Sequence, residues 1–332
     1  MLANSVEYAH LLQDVKKEIA ESRLRAVLRV NKELILMYWR IGRHIAGQAE
    51  WGDKYIETLS RDIRSAYPGV KGFSSRSLKY MTKFAREVDY EFVQQLAAQI
   101  PWGHIMYLLD KTAPGLARDW YVTKTAENGW SRAILMHHVE SGLYERQALS
   151  EKVTNFDRSL PSGCGELAKE ALKDPYIFDF ITTEQSAVEH ELEESMVRNL
   201  TSLLLELGTG FAFMGRQYHL QVGSQDFYID LLFYNTRLHC YFVIELKTTE
   251  FKPEYVGKLN FYLAAVDDVV RDAQDNPTIG LLLCKHKDNA VAEYSLRNVA
   301  SPIGVSEYRV TRELPAEVAS VLPSPEDLSR RI

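Results

Sequence analysis

The chain has 332 residues, of which 46 % are hydrophobic and 25 % charged, and a formal net charge of −6. Those values describe an ordinary globular protein long enough for two domains. No apolar run approaches the roughly 20 residues of a membrane span, and the start, Met1-Leu-Ala-Asn-Ser-Val-Glu-Tyr8, lacks the basic-then-apolar layout of a signal peptide. Three widely separated cysteines, Cys164, Cys240 and Cys284, fit a reducing compartment and no cysteine-based zinc motif. The expectation is a cytoplasmic protein. Charge is unevenly spread: residues 1–150 hold 21 Lys and Arg against 17 Asp and Glu, while residues 151–332 hold 18 against 28. A mildly basic half followed by an acidic one points to a division of labour.

The first half reads as helices. Tyr8 to Gly47 keeps apolar residues at spacings of three and four, so it predicts one long helix or two. Tyr55 to Tyr67 is the next, stopped by Pro68-Gly69. Ser74 then caps a helix over about 75–88, whose basic stripe is Arg76, Lys79, Lys83 and Arg86. A helix, a short Pro/Gly turn and a helix with a basic stripe is the sequence form of a helix-turn-helix, with the stripe facing nucleic-acid phosphates. Further helices are expected over 91–99, 104–111, 114–127 and 131–142. His104, His137 and His138 have no ligand partners at metal spacing and read as structural.

Residues 153–165 are rich in turn formers and, with a short helix over 166–173, predict a linker region spanning 151–182. From residue 183 the pattern changes. Glu184 to Leu207 forms an amphipathic helix whose apolar stripe also carries Glu193. Three strands follow, at about 211–221, 226–234 and 239–247, then a helix over 254–268. A strand at Ile279–Cys284, a helix over 290–298 and a strand over 303–310 complete a domain ending near residue 320.

The chemistry lies in the second and third strands. Residues of like parity share a strand face, so Glu245 and Lys247 are neighbours, and Asp226 and Asp230 share a face of the strand before. A two-residue turn sets Asp226 opposite Glu245, whereas a four-residue turn over 235–238 sets Asp230 opposite Val243, diagonal to Glu245. Either register gathers two carboxylates and a lysine among core-type residues, where unpartnered charge is costly. Hard divalent ions take carboxylates plus water and substrate phosphate. A lysine beside such a site can orient or deprotonate the attacking water, or hold the scissile phosphate. Glu193 could add a direct or water-mediated ligand.

The order of a helix Glu, a second-strand Asp and a third-strand Glu-x-Lys resembles the PD-(D/E)XK nuclease superfamily. The longer string Gly210-Phe-Ala-Phe-Met-Gly-Arg-Gln-Tyr218, Phe-Tyr-Ile-Asp-Leu-Leu-Phe-Tyr234, Val-Ile-Glu-Leu-Lys247 and Asn260-Phe-Tyr-Leu263 is similar to bacterial YhcG-like nucleases. The first half matches too, in Tyr38-Trp-Arg-Ile-Gly42, Gly72-Phe-Ser74, Pro101-Trp-Gly-His104 and Gly129-Trp-Ser-Arg132. The resemblance implies two domains. The first is all-α, of helix-turn-helix or winged-helix-like type (1–150). The second is α/β and restriction-endonuclease-like, with a mixed central sheet (183–320). It implies Asp230, Glu245 and Lys247 as catalytic residues, with Asp230, Glu245 and Glu193 on Mg²⁺, for which Mn²⁺ can substitute. Many superfamily members carry a Gln four residues before a Tyr on the helix after Glu-x-Lys; here Lys258 stands in that slot before Tyr262. Lys258, Tyr262 and Gln217 are auxiliary candidates. The expected function is hydrolysis of phosphodiester bonds, in DNA by preference, by a chain that can form a homo-oligomer. The alternatives are a non-catalytic binding module on the same fold and an RNA-directed nuclease.

Overall fold

The periodic stretch at the amino terminus forms a single helix, α1 (Val6–Ala46), in the computed structural model, which describes residues 6–48, 52–95, 97–181 and 189–310. Contacts divide the chain into two units, Met1–Tyr144 and Glu145–Ile332. In the first unit α2 (Gly52–Ala66), α3 (Ser75–Glu87), α4 (Tyr90–Gln95), α5 (Trp102–Lys111), α6 (Leu116–Asn128) and α7 (Arg132–Glu140) follow α1. Ser74 caps α3 as expected, accepting from the Ser77 amide. Its turn is tied to α2 by the Ser60 hydroxyl, which donates to the Phe73 carbonyl at 2.7 Å. The last third of α1 packs on α3 closely enough that a Cβ at Gly42 would run into the Met81 carbonyl. Ile35, Leu78, Met81, Phe84, Leu108 and Leu135 form the centre of that core. His104 is structural, its Nε2 at 3.0 Å from the Trp130 carbonyl and its pKa lowered by burial.

The second unit is built on a mixed sheet ordered β1 (Val153–Thr154), β7 (Ile303–Arg309), β6 (Ile279–Cys284), β5 (Cys240–Lys247), β4 (Gln225–Asn235), β3 (Phe211–Val222), with β2 (Tyr176–Ile177) also paired to β7. Strands β3 (Phe211–Val222), β4 (Gln225–Asn235) and β5 (Cys240–Lys247) form an antiparallel meander. Strands β6 (Ile279–Cys284) and β7 (Ile303–Arg309) continue from β5 in parallel. That change of direction requires crossovers, and α12 (Glu254–Val269) and α13 (Asn289–Leu296) supply them. Strand parity sorts the core. Leu231, Phe233, Phe242, Ile244 and Leu246 pack with α10 (Glu189–Arg198) and α11 (Leu200–Leu207), while Leu232, Val243 and Leu282 pack with α12. The expected single helix over 184–207 is broken at Asn199, whose side chain turns back to the Ser195 carbonyl; residues 184–188 lie outside those described. No helix among the described residues is long and apolar enough to cross a membrane.

The stretch expected as a linker, 151–182, is part of the second unit instead. It contains β1 (Val153–Thr154), α8 (Phe156–Ser159), α9 (Cys164–Ala171) and β2 (Tyr176–Ile177), and both strands pair with β7. Asn155 fastens this stretch. Its side chain donates to Val299 and Ser301 carbonyls at 3.0 and 2.9 Å and accepts from the Ile303 amide at 2.8 Å. Buried charge fastens it again. Glu206 on α11 takes Arg146 at 2.5 Å and the Ile177 amide at 2.8 Å through Oε1, and its Oε2 lies 3.6 Å from Lys173. Asp174 pairs with Lys287 at 2.7 Å.

Removing one member of a buried ion group leaves the others uncompensated, at a cost of about 3–5 kcal/mol. The Glu206→Gln protein should lose stability of that order, read as a lower urea midpoint for the second unit's transition.

Candidate active site

The meander's turn decides which aspartate meets Glu245. Asn235 remains in β4, and its Oδ1 accepts from the amides of Arg237 and Leu238, both at 3.0 Å. The loop is therefore 236–239, closed by His239 with φ of 48°. Pairing of Asn235 with Cys240 and of Leu231 with Ile244 continues to Asp230 directly opposite Glu245. Both turns considered from the sequence are corrected: the loop starts one residue later than 235–238, and Asp230 is opposite Glu245 rather than diagonal to it. Asp226 is remote from this pair; it stands opposite Gln221 and contacts His219 at 2.7 Å.

Asp230 also sits where the sheet opens. The pairs Arg216–Leu231 and Tyr218–Ile229 are kept, but Gln217 between them adopts a left-handed φ of 46°. That conformation costs a non-glycine residue about 1–2 kcal/mol. It directs the Gln217 amide to Glu193, donating to Oε2 at 2.6 Å. On the other side the β4–β5 ladder ends at Leu231, and the Asp230 Oδ2 accepts the Leu246 amide at 3.0 Å.

Around this pair stand charges of both signs. Lys258 on α12 donates to Glu245 Oε2 at 3.0 Å, and Lys247 lies 3.6 Å from the same oxygen. Lys247 also donates to the Leu246 carbonyl at 2.8 Å and to Glu189 at 3.0 Å. The Lys258 ammonium lies 5.1 Å from the centre of the Tyr262 ring, which is itself buried. Asp230, Glu245, Lys247, Glu193, Gln217, Lys258 and Tyr262 are thus brought into one constellation. Glu189 was not anticipated. It begins α10 one turn before Glu193, so the four-residue spacing of the two acids was the available signal.

Four carboxylates against two ammoniums leave an excess of negative charge, and the proton affinities reflect it. Burial, then repulsion from Asp230, pushes the Glu245 carboxyl up to about 7 against the pull of both lysines. Burial likewise raises Asp230, despite the Leu246 amide and the lysines. Glu193 is raised by burial and by Asp230. Burial opposes the charge on Lys247 and Lys258, but Glu245 and its neighbours outweigh it and hold both above the usual lysine range. Lys247 is therefore an ammonium at neutral pH, suited to holding charge rather than abstracting a proton. Glu245 is 1 % exposed, and its Oε1 has no hydrogen-bond partner. An orphaned buried carboxylate oxygen beside a second carboxylate fits a hard cation. Among the described residues no three acidic, His or Cys side chains already converge as a ligand cage. The fit is thus to the Asp230–Glu245 pair, completed by water or substrate.

Residues 169–323 match the family described as the YhcG PDDEXK nuclease domain, and residues 14–146 match the DUF1016 N-terminal domain. The two halves of the chain are thus similar to the two parts of YhcG-type proteins, the second half to a nuclease domain of PDDEXK type. The Escherichia coli (strain K12) protein named "Putative nuclease YhcG" is 28 % identical over 336 residues, covering 90 % of this chain and 88 % of its own length. Among solved structures, a repair endonuclease from Pyrococcus abyssi is 15 % identical, with a TM-score of 0.27, over 39 % of this chain and 49 % of that one. EndoMS in its dsDNA2 complex is 17 % identical, with a TM-score of 0.27, over 40 % of this chain and 48 % of that one. The match spans about half the length of those solved chains.

The expected nucleic-acid stripe on α3 is only partly available. Arg76, Lys79 and Arg86 are exposed, Arg76 lying 5.6 Å from the Tyr80 ring centre. Lys83 is half-buried and donates to the Leu109 carbonyl at 2.5 Å, with Asp110 at 3.9 Å. That lysine serves to join α3 to α5. Arg61, Arg64 and Lys71, not singled out from the sequence, line with Glu57 and Tyr67 a concavity of about 700 Å³ beside the turn.

The Glu245 shift carries a sign. A carboxyl that binds its proton more tightly when folded gives the native state the larger proton count between its unfolded and folded pKa values. Stability of the metal-free protein then falls as pH rises from about 4.5 to about 7. Urea unfolding at pH 5 and pH 8 should differ by on the order of 1–3 kcal/mol in that direction, and the Glu245→Gln protein should show a flatter profile.

Proposed function

We propose that this chain is a metal-dependent nuclease that hydrolyses phosphodiester bonds in DNA. The observation that carries this reading is the Glu245 Oε1, buried and unpartnered opposite a second carboxylate that also resists ionisation. In this reading Asp230 and Glu245 would hold Mg²⁺ or Mn²⁺, with Glu193 as a direct or water-mediated third ligand. The ion, when bound, supplies Lewis-acid charge for the hydrolysis. Lys247 stabilises negative charge that develops on the phosphate and orients the attacking water; its raised pKa supports that role over general-base catalysis. Glu189 holds the Lys247 ammonium in position. Lys258, which donates to Glu245 here, would be placed to bind a phosphate oxygen were Glu245 engaged by the cation. The exposed bases of α3 grip the backbone, aided by Arg61, Arg64 and Lys71 of the neighbouring concavity.

Cleavage of plasmid, branched and single-stranded DNA, with RNA in parallel, is the direct test. Activity should require Mg²⁺ or Mn²⁺. Asp230→Asn, Glu245→Gln and Lys247→Ala should each reduce it by about 10²–10⁴-fold with folding retained. Equal cleavage by the Lys247→Ala protein would assign the activity to a contaminant. Nucleic-acid binding without cleavage under every metal would favour a binding module, and RNA cleavage alone would move the substrate from DNA to RNA.

Metal binding has its own readout. Because the ion must displace the Glu245 proton, the Mn²⁺ affinity measured by calorimetry should weaken by up to about tenfold per pH unit below pH 7. The Asp230→Asn protein should show no such binding at any of these pH values.

A further inference from the structure

The amino-terminal arm of α1 stands clear of its unit. The helix joins the core only at Asn31, whose side chain donates to the carbonyls of Ala98 and Ile100. From Tyr8 to Val30 every side chain described is exposed. Yet this arm carries an apolar face: Leu12 is 39 % exposed, Val15 46 %, Ile19 48 % and Val30 70 %. A solitary helix draws little stability from propensity; helices in proteins are held by packing an amphipathic face. A partner for this face is therefore required.

We propose that the partner is the same arm of a second copy, packed antiparallel about Ile19. Two features of the arm are self-complementary in that direction. The apolar face repeats about Ile19 at two pairs, Leu12 and Ala26 seven residues to either side and Tyr8 and Val30 eleven, while Val15 is mirrored by Arg23. Charge is polarised along the arm. Residues 6–21 hold four acids and two lysines, while residues 22–30 hold three arginines and no acid. Antiparallel pairing lays the acidic end of each arm on the basic end of the other, whereas parallel pairing stacks like on like. Arg25 already bonds Glu18 and Glu21 of its own helix, at 2.7 and 3.5 Å. Arg23 and Arg29 form no ion pair among the described residues and remain to meet the copy. Such a contact is isologous and closes at two chains.

Sedimentation of the full chain should give twice the 38.0 kDa monomer mass. The Leu12→Asp/Ile19→Asp protein should sediment as a monomer with the main unfolding transition unchanged. Direction is read by cross-linking in a Cys164→Ser background, since Cys240 and Cys284 are buried. A Glu18→Cys chain should cross-link to its copy near the symmetry axis. A His10→Cys chain should not, because antiparallel arms hold those two residues about 27 Å apart. A monomeric wild-type chain would overturn the proposal, including one that binds a different protein through this face. So would a dimer that survives the double substitution, or cross-linking at His10→Cys and not at Glu18→Cys. The outcome is independent of the nuclease reading: a Lys247→Ala chain without cleavage activity should dimerise like the wild type.

Discussion

Asp230 and Glu245 face each other across two buried strands, and that confrontation governs the second unit. Opposed residues on antiparallel strands are about 5 Å apart at Cβ. Two like charges there repel by about 3 kcal/mol at an effective dielectric constant near 20, before any desolvation is counted. The fold tolerates the pair only by surrounding it. Lys247 and Lys258 approach the same Glu245 oxygen, the Leu246 amide bonds Asp230, and a proton is retained more readily than in water. Local strain belongs to the same arrangement. Left-handed backbone at Gln217 interrupts the β3 edge opposite Asp230 and turns its amide to Glu193.

Much of this was legible in the sequence because strands and helices have fixed periods. Parity alone placed Lys247 beside Glu245, and the apolar stripe placed Glu193 on the sheet side of its helix. Register was not legible. It depends on one Asn235 oxygen collecting two loop amides, which lengthens β4 by a residue and moves Asp230 from the diagonal to the direct position. Hydrophobic pattern is indifferent to that shift, since it moves the register by two and preserves every face. The edge strands β1 and β2 were missed for a different reason. Each has two residues, and what orders them is bonding to β7 and the Asn155 contacts well over a hundred residues away.

In the first unit the same kind of ambiguity surrounds charge and apolar stripes. Helical spacing marks a face but does not say what covers it. Lys83 belongs to the basic stripe of α3 by spacing, yet its ammonium is spent on the Leu109 carbonyl. Conversely, the apolar residues of α1 keep one helical spacing along its whole length. Only those after Asn31 reach a core; the earlier ones whose side chains are described lie open.

Two of the second unit's buried charge clusters, at Glu206 and at Glu245, contrast in a way that separates structure from chemistry. At Glu206 a single carboxylate meets Arg146, Lys173 and the Ile177 amide, so both oxygens are engaged and cations outnumber acids. Such a cluster has nothing left to bind; it holds α11 to the segment before it. At Glu245 the balance is reversed. Acids outnumber ammoniums, one oxygen is unpartnered, and the carboxyl protons are held abnormally tightly. Both clusters are equally deep in apolar surroundings, so burial alone does not distinguish them. The sign of the uncompensated charge does: a deficit of cations is chemical capacity for one more, and only the site on β4 and β5 has it.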